Sequence, residues 1–342
     1  MKVFVTGAAG FVGSAVLRAL RAHGHGACGM AINSSDAAIV EKNGARAVVG
    51  DLTTDEGLAV ARREAVAADG VIHAVKVHRV TQTDAPAADA AKREELHHAK
   101  HSEWERVDEL TLDMLLDALA GTNKPLVFSS SCSIYGDAGE KVIDESSPLA
   151  PDSRYGGWRA QHERKVIEAA SRGIRTVALR TAKIYGPHPK DMPLGRPHPA
   201  QMHGHLMDAD AVGYLEDGSS VGTAVHVDDY AELFVLALEK APPGSVYIGG
   251  CEDYTRKTHA LAMSHAYGYG GRIRSWTMEE TRKALGDGRV IELFMVNHRT
   301  SSRKAMEELG WRPKAPSMME CALMEERRRY PALAQKADDS AP

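Results

Sequence analysis

The chain has 342 residues, 43% hydrophobic and 26% charged, and a formal net charge of -4 from 42 Lys and Arg against 46 Asp and Glu. This is the composition of a soluble globular protein long enough for one large α/β domain and a smaller lobe, and its scattered cations form no surface for nucleic acid. Cys28, Cys132, Cys251 and Cys321 lie far apart with no C-x-x-C pair, which argues against a disulfide framework or a thiolate metal cluster and fits a reducing, cytoplasmic setting.

In chain order, the apolar stretch Val3–Leu20 is broken by Gly7, Gly10 and Gly13 and preceded only by Lys2, unlike a signal peptide. No later run is apolar enough to span a membrane. Strands are expected at Lys2–Thr6, Ala27–Ile32, Ala45–Val49, Gly70–His73, Pro125–Ser130 and Arg175–Leu179, with helical patterns between them. Such alternation predicts a Rossmann-type, doubly wound parallel sheet over residues 1–180. A long helical segment, Ala87–Leu119, carries an apolar stripe of Leu112, Leu115, Leu116 and Leu119 that either faces the sheet or joins a symmetry mate in a homodimer.

After Tyr185 the pattern becomes irregular, with a Pro- and His-rich connection to His205. Helices return at Val227–Glu239, Thr255–Tyr267, Met278–Leu285 and Ser301–Leu309, with short strands near Val221–Val225 and Ser245–Ile248. These are assigned mainly to a substrate-binding lobe over 181–330, some elements returning to the main domain, and 331–342 to a frayed tail. His97, His98 and His101 in the long helix read as a solvated face, and His188, His198, His203 and His205 lack a carboxylate at motif spacing, so no metal is expected.

The turn Thr6-Gly7-Ala8-Ala9-Gly10-Phe11-Val12-Gly13 follows a strand and opens a helix. There glycines permit a tight turn, close approach of a pyrophosphate and tight helix–strand packing, while the helix N-terminus favours phosphate. Its G-x-x-G-x-x-G spacing resembles the extended short-chain dehydrogenase/reductase superfamily, in particular the epimerase/dehydratase-like branch. Four further stretches resemble that branch in order: Gly50-Asp51-Leu52, Phe128 to Gly136, Leu179 to Pro187, and His226-Val227-Asp228-Asp229. Glu308 to Pro313 is similar to its C-terminal helix and exit.

The resemblance implies a nicotinamide cofactor held by Gly7, Gly10, Phe11, Val12, Gly13, Asn33, Ser34, Asp51, Leu52, Ala74, Tyr155, Arg159, Thr181 and Ile184. Where an acidic residue would accept from the ribose 2′-OH of NAD stands Ala31, and no Arg or Lys stands nearby for the 2′-phosphate of NADP. Asn33, Ser34 and Ser35 either meet that phosphate or cap the next helix, and the reading favours NADP over NAD. Asp51 reads as an adenine contact or a local cap.

By the same resemblance, Ser131 polarises a substrate oxygen and Tyr155 is the acid/base, with Arg159 in the place of a lysine four residues on. Arginine supplies charge and donors but cannot relay a proton. Cys132 reads as packing. Nucleotide-sugar enzymes of this branch carry an arginine four residues before the histidine of His-Val-x-Asp, whereas Gly222 stands here; Lys190 or Arg196 is the remaining candidate for a diphosphate clamp. The reading is therefore an NAD(P)-dependent oxidoreductase of a small carbonyl or alcohol. Its alternatives are a nucleotide-sugar epimerase or dehydratase, and a cofactor-binding protein without catalysis.

Overall fold

The computed structural model describes residues 1–75, 90–195, 210–285 and 295–333. The first half alternates as expected: β1 (Lys2–Thr6), α1 (Phe11–Ala22), β2 (Gly26–Ala31), α2 (Ser34–Lys42), β3 (Arg46–Val49), α3 (Asp55–Ala67), β4 (Gly70–His73), α4 (Ala90–Leu119), β5 (Pro125–Ser131), the two-residue β6 (Val142–Ile143), α5 (Arg154–Glu168) and β7 (Arg175–Thr181). There follow β8 (Lys183–Tyr185), β9 (Val212–Leu215), β10 (Val221–His226), α6 (Val227–Lys240), β11 (Ser245–Gly249), β12 (Glu252–Thr255), α7 (Arg256–Ala266), β13 (Ile273–Trp276), α8 (Met278–Leu285), β14 (Arg299–Thr300), α9 (Arg303–Glu308) and α10 (Met318–Arg329).

Seven parallel strands form the central sheet in the order β11-β7-β5-β4-β1-β2-β3. Successive side chains of a strand point to opposite faces, and here both faces are covered. Val3 and Val5 of β1 pack with α1 and α6, whereas Phe4 between them packs with α3 and α4. This explains why β1 and β4 read as near-continuous apolar runs.

Two elements expected in the smaller lobe belong to the main domain. Strand 245–249 pairs with β7 at the edge of the large sheet, and α6 packs along α1 beneath it. A short apolar strand carries no signature of its partner, so sequence alone assigned it by position. The leucine stripe of α4 is buried in this chain's own core, with Leu112, Leu115 and Leu119 fully inaccessible. It faces the sheet and offers no surface to a symmetry mate.

The smaller lobe is built on the sheet β12-β10-β8 and the pair β13-β9, packed by α7 and α10 around Tyr185, Tyr254 and Met263. Its exit is pinned to the main domain. Asp229 accepts backbone N–H bonds from Lys314 and Ala315, both at 3.0 Å, and the indole of Trp311 donates to the Asp229 carbonyl at 2.8 Å. Most of the tail, Arg196, and the histidines His97, His98, His101, His198, His203 and His205 lie outside the described residues or side chains. No helix among the described residues is long and apolar enough to cross a membrane.

Candidate active site

The glycine-rich turn lies at the carboxyl ends of β1 and β4, where open α/β sheets receive ligands. Gly7 adopts φ +69, and a Cβ there would come within 2.8 Å of the Ala74 carbonyl oxygen. A Cβ on Gly13 would lie 2.1 Å from the Gly7 oxygen, so this glycine is fixed by helix–strand contact. At Gly10 the nearest atom would be 3.1 Å away. Gly10 is also the N-cap of α1 and brings no side chain to the first-turn N–H groups, leaving Phe11, Val12 and Gly13 to present theirs to an anion. The cradle fits a dinucleotide pyrophosphate.

Neighbouring candidates divide by role. Leu52 is buried in the core between the sheet and α3, and Ile184 packs on the opposite core. Asp51 accepts from the backbone N–H and hydroxyl of Thr53, at 2.9 and 2.8 Å, and thus shapes its own turn. Asn33 caps α2 through its Oδ1, which accepts from the Asp36 N–H at 3.0 Å and the Ser35 hydroxyl at 2.7 Å. Ser34 opens the helix. Lys190, from the loop after β8, does not reach the Gly222 region; its Nζ lies 3.4 Å from Asp36 at the start of α2. The same loop places the His188 ring 5.3 Å from that of Phe11. Burial, with Lys190 adding to it, pushes the imidazole down to about 4.

At the end of β5, Ser131 sits opposite Thr181 of β7 in the sheet register. Its Oγ accepts from the Ser133 N–H at 3.2 Å and from the Ser133 hydroxyl at 2.9 Å. With the Ser133 N–H and hydroxyl both donating to it, the Ser131 oxygen keeps its own hydrogen for donation. The backbone at Gly156, next to Tyr155, packs directly on this loop, where a Cβ would lie 2.3 Å from the Ser133 carbonyl oxygen. The tyrosine ring is half-buried, edge-on to Trp158 at 5.2 Å and tilted against Trp104 at 5.6 Å. Cys132 is buried, its thiol pushed up by desolvation, and serves as packing.

Arg159, one turn beyond Tyr155, is enclosed. Its guanidinium donates to Asp108 Oδ2 at 2.6 Å and to the Ser129 carbonyl, and it stacks over Phe128 at 4.6 Å. Asp108 also receives His162 Nδ1 at 2.9 Å and His73 Nε2 at 3.2 Å, while His73 Nδ1 lies 2.7 Å from the Thr6 hydroxyl. Burial alone would raise the Asp108 carboxyl, but Arg159 and the two histidine hydrogen bonds outweigh it and hold it well below the carboxylate range. A buried chain of side chains thus joins Thr6, beside the glycine turn, to the helix carrying Tyr155.

A second buried pair braces the serine loop. Arg180 holds Glu163 through Nη2 at 2.6 Å and also meets the Tyr135 hydroxyl, while Ser130 donates to Glu163 at 2.6 Å.

The sequence is similar to known proteins over most of its length. The model of the NAD dependent epimerase/dehydratase family matches residues 3–249. A 3-diazoavenalumate denitrifying reductase from a Streptomyces species is 27% identical over 326 residues, spanning 93% of this chain and 97% of that protein. The UDP-glucose 4-epimerase of Corynebacterium glutamicum is 28% identical over 343 residues, spanning 92% and 91%. Among solved structures, the UDP-glucose 4-epimerase of Thermus thermophilus in complex with NAD is 25% identical with a TM-score of 0.68, over 96% of this chain and 100% of that one.

Proposed function

The chain belongs to the NAD-dependent epimerase/dehydratase family, and from that premise we propose that it is an NAD(P)-dependent reductase or dehydrogenase of a small carbonyl or alcohol, using NADP in preference to NAD. The observation that carries the reading is the hydroxyl of Ser131, filled as an acceptor by Ser133 and left only a donor's role. A donor fixed in this way stabilises the oxygen of a carbonyl as charge develops on it. Tyr155 gives or takes the proton at that oxygen. Arg159, paired with Asp108 and bonded to the Ser129 carbonyl, braces the helix that carries Tyr155. When bound, the nicotinamide supplies or accepts the hydride.

One observation favours a small substrate over a nucleotide sugar. A Cβ at Gly222 would lie 2.5 Å from the Tyr254 hydroxyl, so the position of the clamp arginine is filled by a neighbouring ring. The NADP preference is supported by Ala31 in the acidic slot and by Lys190, whose ammonium reaches the N-terminus of α2 from outside the β2–α2 turn.

The epimerase or dehydratase reading keeps support from the family and from the NAD-bound epimerase structure. The two separate by stoichiometry: a reductase consumes NADPH with an added carbonyl compound, whereas an epimerase interconverts UDP-glucose and UDP-galactose with no net change in the cofactor. Consumption of NADPH supports the reductase; epimerisation without it overturns the proposal.

A further inference from the structure

On the sheet β12-β10-β8, Gly222 and Ala224 of the central strand lie beside Tyr254 of β12 and Lys183 of β8 respectively. Residues two apart on a strand share a face, so Lys183 and Tyr254 stand on one side of this sheet with only the small Gly222 and Ala224 between them. The buried ring of Tyr254 crosses Gly222, its hydroxyl 2.5 Å from where a Cβ would be. Two cations converge on that ring: Lys183 Nζ and the Arg256 guanidinium each lie 5.8 Å from its centroid. Arg256 Nη1 donates to the Tyr254 hydroxyl at 3.2 Å and Nη2 to the Val296 carbonyl at 3.0 Å.

Among the described residues, no carboxylate pairs with Arg256, and its buried Nε has no hydrogen-bond partner. The neighbouring acidic side chain on β12, Asp253, is committed elsewhere, accepting from the Thr223 hydroxyl at 2.8 Å and pairing with Arg299 at 3.0 Å. His298, which bridges to Gly222, likewise has a buried Nε2 without a partner, and burial lowers its affinity for a proton. An arginine that is partly buried without a counter-charge is unfavourable unless an anion completes it.

This group is tied through one backbone segment to the loop that follows Ser131. The segment Asn297–Thr300 connects the two, since its Asn297 N–H donates to Asp137 at 2.8 Å in the loop after Ser131, and its His298 N–H donates to the Val221 carbonyl at 2.9 Å. Resting on the reductase reading above, we propose that Arg256 and Lys183 form a carboxylate-binding site, so that the substrate is a small carbonyl or alcohol compound bearing a carboxylate. Tyr254 supports the two cations and occupies the volume that a longer side chain at residue 222 would need. A carboxylate suits the fork of arginine, which can donate two parallel hydrogen bonds to it.

The test compares 4-formylbenzoate with its uncharged analogue 4-formylbenzamide. Each is titrated calorimetrically into the full chain with and without NADP⁺, whose oxidised ring prevents reduction of the aldehyde. The acid is expected to bind at least tenfold more tightly than the amide. Arg256→Gln and Lys183→Met, with unchanged melting temperature and NADP⁺ affinity, should each reduce that preference, and Arg256→Gln should nearly abolish it. Acid binding no tighter than amide binding, whether both bind or neither does, overturns the inference. So does an acid preference unaltered in both folded variants, or UDP binding tighter than the acid and lost in Arg256→Gln, which would assign the cations to a nucleotide diphosphate. A chain that binds no dinucleotide contradicts the underlying reading; one that binds it without preferring the acid contradicts only this inference.

Discussion

Asp108 Oδ2 lies 2.6 Å from Arg159 Nη1, and both side chains are buried. Removing one member of such a pair leaves the other charged in a poorly solvating interior, at a cost of about 3–5 kcal/mol. Asp108→Asn and Arg159→Met should each lower stability by that order in urea unfolding. The double variant should recover much of the loss, because neither charge is left alone. Arg159→Lys should fall between Arg159→Met and the unaltered chain, since an ammonium keeps the charge but cannot reach Asp108 and the Ser129 carbonyl while stacking on Phe128. Additive losses in the double variant would contradict direct pairing.

On the proposed mechanism, Ser131→Ala removes the donor to the reacting oxygen. Turnover should fall about 10²–10³-fold with NADPH affinity unchanged. Tyr155→Phe, which deletes the proposed proton donor, should cost about 10²–10⁴-fold, again without loss of cofactor binding. Steady-state rates and NADPH fluorescence titration measure the two quantities, and full activity in either variant would remove that residue from the reaction.

The glycines should separate by location. Gly13→Val should fail to give a folded protein because its Cβ would fall 2.1 Å from backbone. Gly10→Val, its Cβ 3.1 Å from the Gly7 oxygen and, on the proposed reading, in the path of a pyrophosphate, should fold and lose dinucleotide affinity. Circular dichroism and calorimetric titration distinguish these outcomes.

Lys190→Gln should weaken NADPH binding about tenfold, the worth of a charge-assisted hydrogen bond, and leave NADH binding nearly unchanged. Equal effects on both cofactors would detach Lys190 from the 2′-phosphate.

His188 carries a pH dependence of defined sign. Its folded-state proton affinity is lowered, to about 4, from an ordinary value near 6.5. The unfolded chain therefore binds the proton more readily, and the stability associated with the neutral ring is complete above about pH 6.5 and is lost as pH falls toward 4. The melting temperature should drop between pH 7 and 5, and less steeply in His188→Phe, which keeps the ring against Phe11.

The glycine turn was legible because its chemistry is local: three glycines between a strand and a helix specify the cradle in one short stretch. Ser131 and Tyr155 stand out in the sequence in the same way, each embedded in its own motif, as the candidates for the proposed chemistry. Asp108 was missed, although a signal was present. Trp104, Val107, Asp108, Thr111, Leu112 and Leu115 follow one helical face, and all are buried. A carboxylate on that face demands a cation, and Arg159 was the one at hand. The placement of Lys190 beside Asp36, and of Arg256 against the Val296 carbonyl, was not legible, because these partners come from segments distant in sequence and no spacing encodes that meeting.

The most direct measurement of the central claim uses NADPH deuterated at C4 of the nicotinamide with a panel of small carboxylate-bearing aldehydes and ketones, alongside UDP-glucose. The account predicts one equivalent of NADPH consumed per product and deuterium on the new carbinol carbon, with the rate of both lowered about 10²–10⁴-fold in Ser131→Ala and Tyr155→Phe. Conversion of UDP-glucose to UDP-galactose with no net change in cofactor, or tight NADPH binding with no transfer of deuterium to any carbonyl compound, would contradict it.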